Sequence, residues 1–164
     1  MRPPSNLLTL EPPRQIILVD FKIDLPIKGG WGYDFDSACI IDKTDPSVTE
    51  GIPFDGVGIE YVFVEKRIYE EMIIFRDDDE KYVGIRWDLD NQALLFNNQK
   101  SYDKLIFNIV GFTDSVWDEL TSRFSEIEKT GESELIAELD VYRESKVLRF
   151  ARAFYFDISS FYGQ

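Results

Sequence analysis

The sequence predicts a single α+β domain, a mainly antiparallel sheet of about five to seven strands with one or two helices packed on one face. Three observations carry that expectation. The chain has 164 residues, enough for one substantial core and too few for two. Several short segments alternate apolar and polar side chains, as half-buried strands do. One longer stretch, 114–129, has a helical apolar period with capping residues at both ends.

Residues 1–14 hold four of the seven prolines, as Pro3-Pro4 and Pro12-Pro13. They read as an extended arm packed across the surface through Leu7, Leu8 and Leu10, with residues 15–164 as the domain proper. From Gln15 to Leu25 the alternation is the cleanest in the chain. Ile17, Val19, Phe21, Ile23 and Leu25 fall on one side, and Asp20, Lys22 and Asp24 on the other. A strand ended by Pro26 is the expectation. Gly29-Gly30-Trp31-Gly32 then forms a loop, Ser37–Asp42 a short buried strand, and the turn formers of 43–56 a long surface loop.

The segment 57–75 fits two patterns. Val57, Ile59, Tyr61 and Phe63 alternate, whereas Tyr61, Val64, Ile68, Met72 and Phe75 make a helical stripe with Glu60, Arg67, Glu70 and Glu71 opposite. The reading adopted is a strand that gives way near Glu65 to a helix or second strand. Asp77-Asp78-Asp79-Glu80 is a charged turn. Val83, Ile85, Trp87 and Leu89 alternate as a half-buried strand. Leu94-Leu95-Phe96 and Leu105–Phe112 flank Asn97-Asn98-Gln99-Lys100, which suits a hairpin or a longer turn between two strands.

Asp114–Lys129 is the best-marked helix. Thr113, Asp114 or Ser115 can cap its start and Gly131 its end, with Val116, Trp117, Leu120, Phe124 and Ile127 as the buried stripe. A second helical stretch from Ser133 turns Leu135, Ile136, Leu139 and Tyr142 inward, and Val147–Ile158 is a closing strand.

Composition narrows the function classes. The chain contains no histidine, which excludes Ser-His-Asp and Cys-His catalysis and imidazole metal ligation. Thirty-one acidic against eighteen basic side chains give a net charge of −13. That sign repels nucleic acid and anionic membrane and favours a basic protein partner. A single cysteine forms no internal disulfide, and neither a signal-peptide core nor a membrane-length apolar run is evident, so a cytoplasmic location is expected.

The stretch 29–42 combines three glycines in four residues with Trp31, Tyr33, Asp34, Asp36 and Cys39. Asp34 and Asp36 are hard oxygen ligands in a flexible loop, but the calcium-loop pattern fails, since the required glycine would fall on Cys39. Phosphate cradling fails too, because the Gly-Lys-Ser/Thr ending is missing and the carboxylates repel phosphate. Cys39 has no base to hold a thiolate and reads as a core residue. What survives is a glycine hinge presenting Trp31, Tyr33, Asp34 and Asp36 for recognition, with no cofactor or metal. Arg143, Lys146, Arg149 and Arg152 recur every third residue, a basic stripe neutralised by neighbouring carboxylates. The function expected is an inhibitor- or immunity-type binding protein for a basic partner. The alternative is a carboxylate-based hydrolase, with or without a divalent metal, centred on residues 31–42.

Overall fold

The computed structural model describes residues 2–163 and is α+β, a single open sheet of five strands with four α-helices. In chain order these are α1 (Pro13–Phe21), β1 (Ile27–Gly29), β2 (Cys39–Ile41), α2 (Gly56–Tyr69), β3 (Val83–Asn97), β4 (Lys100–Phe112), α3 (Asp114–Thr130), α4 (Leu135–Lys146) and β5 (Leu148–Asp157). The strand order is β1-β2-β5-β4-β3. The sheet is mixed, because β2 pairs with β5 in parallel while the other neighbours are antiparallel.

The first departure from the sequence reading is α1, where a strand was expected. Pro13 occupies the first helical turn, where its fixed φ and missing N–H cost nothing. The buried positions are Pro13, Ile16 and Ile17, a helical spacing. Val19 and Ile23, which the alternation placed inside, are exposed. The arm before it is extended. Leu7 packs on the core and donates its N–H to the Tyr33 hydroxyl at 2.9 Å, whereas Leu8 and Leu10 point into solvent. Arg2 is held at its carbonyl by the Tyr82 hydroxyl at 3.0 Å and by Arg76.

The second departure is α2, one unbroken helix where a strand-to-helix switch was expected. Asp55 caps it by accepting from the Gly58 N–H at 2.9 Å. A π-helical turn, Glu70–Ile74, continues it. The charged residues assigned to its outer side, Glu60, Arg67, Glu70 and Glu71, are buried instead, and so is Lys66. The helix lies across the sheet, with Phe63 against Phe156, Tyr61 against Phe107 and Tyr69 against Trp87, at ring separations of 5.2, 5.9 and 5.7 Å.

β3 and β4 form the hairpin the sequence announced, turning through Asn98 and Gln99, both at positive φ (48° and 64°). A bulge at Asp90 allows Leu89 and Gln92, three residues apart, to share the face of Phe107 and Leu105. The opposite face of the sheet is largely open, with Asn108, Arg149 and Ala151 exposed. Phe35 covers one end of it by stacking on Tyr102 and Tyr155.

α3 begins at its Thr113 cap, whose hydroxyl accepts from the Val116 N–H, and ends on Gly131 at φ 70°. Only Leu120 and Ile127 of its expected stripe are buried, and α4 buries no side chain at all. Trp117 anchors the helical pair by packing on Phe112 and over Gly84. Gly84 holds φ +59°, and a Cβ there would be driven into the Trp117 ring. Gly84→Ala is therefore expected to cost about 2 kcal/mol or more through backbone strain and clash, read as a lower urea midpoint with an altered tryptophan emission. Gln99→Gly should raise the midpoint by about 1 kcal/mol, because glycine carries no left-handed penalty.

Candidate functional site

Residues 29–42 divide between core and surface. Trp31 is buried against Phe63 at 5.8 Å, and Cys39 is fully buried. Burial and the nearby Glu60 raise the Cys39 thiol well above its ordinary value, so it stays protonated and inert. Tyr33 is half-buried and donates its hydroxyl to Glu71 at 2.5 Å. Asp34 and Asp36 are exposed. Asp34 accepts from both the N–H and the hydroxyl of Ser37, at 2.8 Å each, which holds its carboxyl below the usual range. The loop thus splits the four predicted residues into two rings that brace the core and two carboxylates that face water.

Beneath the loop is a buried ionic cluster on α2. The Arg67 guanidinium donates to the carbonyls of Trp31 (2.9 Å), Gly32 (3.1 Å) and Ala153 (2.7 Å). It is sandwiched between the rings of Phe154 and Tyr33, 3.7 and 4.2 Å from their centroids. Its charge is balanced by Glu71, one helical turn on, at 3.2 Å. Glu71 Oε1 also accepts from Arg152 at 3.0 Å. Burial lowers the Arg67 pKa to about 10, still far above neutral, so the cation persists. Alongside it, Lys66 pairs with Asp20 and Glu70, both at 2.6 Å. The Arg67 Nη donors are spent on backbone carbonyls, and the Lys66 ammonium on neighbouring carboxylates.

The structure also brings together a pair that no local pattern marks. Glu60 on α2 and Asp103 on β4 lie close enough for each carboxyl to shift the other's titration, and Gln92 donates to Asp103 at 2.6 Å. Their exposures are only 3% and 8%. Burial, then the adjacent Asp103, pushes Glu60 up to about 8, so at neutral pH it carries a proton. Glu60 had looked like a solvent-side residue of an ambiguous segment, forty-three positions from its partner. Among the described residues no group of three or more acidic or cysteine side chains is arranged to hold a metal.

The basic stripe is dispersed between α4 and β5. Arg143 pairs with Asp140 at 3.1 Å, Arg149 with Glu144 at 2.7 Å and Arg152 with Glu71 at 3.0 Å, while Lys146 sits over the Tyr142 ring. No helix among the described residues is long and apolar enough to cross a membrane. No protein-family model, curated protein or solved structure matches the chain.

Two outcomes follow from this geometry. Arg67→Lys should destabilise by about 3–5 kcal/mol, because an ammonium cannot reach three carbonyls and leaves buried acceptors and Glu71 poorly matched; urea unfolding measures it. Glu60 releases its proton near its ordinary 4.5 when unfolded and near 8 when folded, so the folded state holds the extra proton between those values. Stability contributed by this group is full below pH 4.5 and declines as pH rises toward 8. Glu60→Gln should flatten that part of the stability–pH curve.

Proposed function

We propose that this chain is an acidic protein-interaction module of the inhibitor or immunity type, which engages a basic partner protein. The distribution of charge supports this reading. Five acidic and three basic side chains are buried, so most of the net −13 is carried at the surface. A surface of that sign accelerates encounter with a basic protein and rejects acidic ones. The exposed Asp34 and Asp36 belong to that surface, on a turn braced from below by Trp31 and Tyr33.

A second reading rests on the Glu60–Asp103 pair. A buried carboxyl that keeps its proton at neutral pH beside a second carboxyl has the acid–base properties a carboxylate hydrolase needs. In this fold such chemistry would belong to that pair rather than to Asp34 and Asp36, whose carboxylates are solvated or engaged in a turn. Their burial leaves no approach for a substrate in the present conformation, which favours the binding reading.

Pull-down with the full chain from native lysate should recover basic proteins at low salt and release them as ionic strength screens the attraction. Asp36→Asn, at an exposed position, should weaken retention modestly without changing the melting temperature. Recovery of no partner at low salt, or of acidic proteins only, would sink the proposal.

A further inference from the structure

Resting on the basic-partner reading, we infer that the groove between α3 and α4 is the docking surface, and that its occupant is a basic amphipathic helix of another protein. The groove is a concavity of about 480 Å³. Ile127, Leu135 and Leu139 line its apolar part, and Glu126, Glu132 and Glu138 stand around them.

The helices themselves lack a partner. α4 contains Leu135, Ile136, Leu139, Val141 and Tyr142 and buries none of them, with Val141 at 72% exposure. Phe124 of α3, four residues from Leu120 on the same stripe, is 50% exposed. An apolar stripe at helical spacing gains its stability from being covered. Here two helices cover each other only in part.

Charge decides what covers them. Residues 114–146 carry ten acidic and four basic side chains, close to half of the net charge in about a fifth of the chain. Two of those bases, Arg123 and Arg143, are paired within the hairpin to Glu119 and Asp140. No basic side chain among the described residues lies within ion-pair distance of Glu126, Glu132 or Glu138. A second copy of this chain would bring two such surfaces together and is disfavoured by repulsion. A helix with an apolar stripe flanked by lysine or arginine matches both the floor and the rim. With a rise of about 1.5 Å per residue, α3 and α4 span roughly 25 and 18 Å, which sets the occupant at about three to four turns.

The test uses the full chain and a synthetic helical peptide of about four turns, leucine on one face and lysine elsewhere. A scrambled peptide of the same composition, with no apolar face, serves as control. The expected result, followed by amide chemical shifts at low ionic strength, is perturbation centred on residues 123–139. The scrambled peptide should bind about tenfold or more weakly, a difference of roughly 1.4 kcal/mol. Glu126→Lys with Glu132→Lys and Glu138→Lys, all at exposed positions, should weaken binding by a similar factor while leaving the melting temperature unchanged.

Binding centred on Asp34 and Asp36, or anywhere else outside the hairpin, overturns the groove and leaves the basic-partner reading standing. Equal affinity for both peptides also overturns the groove, since it would reflect charge alone. Absence of binding by either peptide overturns both readings. A dimer in light scattering that is abolished by Val141→Asp would assign the face to a second copy instead.

Discussion

The structure depends on one guanidinium. β2 pairs with β5 over only two residues, Cys39↔Phe156 and Ile40↔Asp157, and beyond that point the contact with β5 narrows to the Gly32 carbonyl accepting from the Tyr155 N–H at 2.8 Å. Arg67 reinforces this junction, supplying hydrogen bonds to the carbonyls of Trp31, Gly32 and Ala153 from a helix rather than from a strand. Unmet buried carbonyls would each carry a substantial desolvation cost. Arginine suits this position because its donors fan out in one plane that can also lie between two aromatic faces. The position of α2, the bracing of the 30–38 loop and the burial of Glu71 all follow from seating that group. The π-helical turn directly after Tyr69 belongs to the same solution, since Glu70 and Glu71 at its start both turn inward toward cations one turn earlier.

How much of this was legible in the sequence depended on where side-chain polarity tracked burial. α3 showed itself because Thr113 and Gly131 mark its ends through local chemistry alone. The β3–β4 hairpin showed itself because its turn residues tolerate positive φ. α1 was misread because a nine-residue helix with a weak apolar face also alternates by chance from Ile17 to Ile23, and Pro12-Pro13 was weighed as an arm rather than as a helix start. α2 was misread for a deeper reason. Glu60, Lys66, Arg67, Glu70 and Glu71 are internal, so polarity marked the wrong side, and no local rule reports that five charges will find partners on distant elements. In the 29–42 stretch Cys39 is buried, as its apolar neighbours predict. The division of its residues into two that support and two that face solvent needed the position of Arg67.

Electrostatics here works at two depths. Inside, charges are matched closely: Arg67 with Glu71, Lys66 with Glu70 and Asp20, Arg152 with Glu71. Such pairs specify an arrangement more than they stabilise it, because desolvation consumes much of their attraction. Outside, acid exceeds base, and the excess is concentrated on a helical hairpin with little of its own to pack against. A rigid interior beneath a one-signed, under-covered surface suits a protein whose partner supplies the complementary charge and the missing apolar cover.

The strand order has a consequence for how the chain reaches this state. β5, the last strand made, lies at the centre of the sheet between β2 and β4. The β3–β4 hairpin closes locally, yet β1 and β2 have no place in the sheet until the C-terminal strand arrives, and contacts such as Lys43 to Ser160 span 117 residues. During synthesis β2 must therefore wait for β5 before it can join the sheet. Topology of this kind, dominated by non-local pairing, folds slowly. Loss of even the final strand would remove the middle of the sheet rather than its edge.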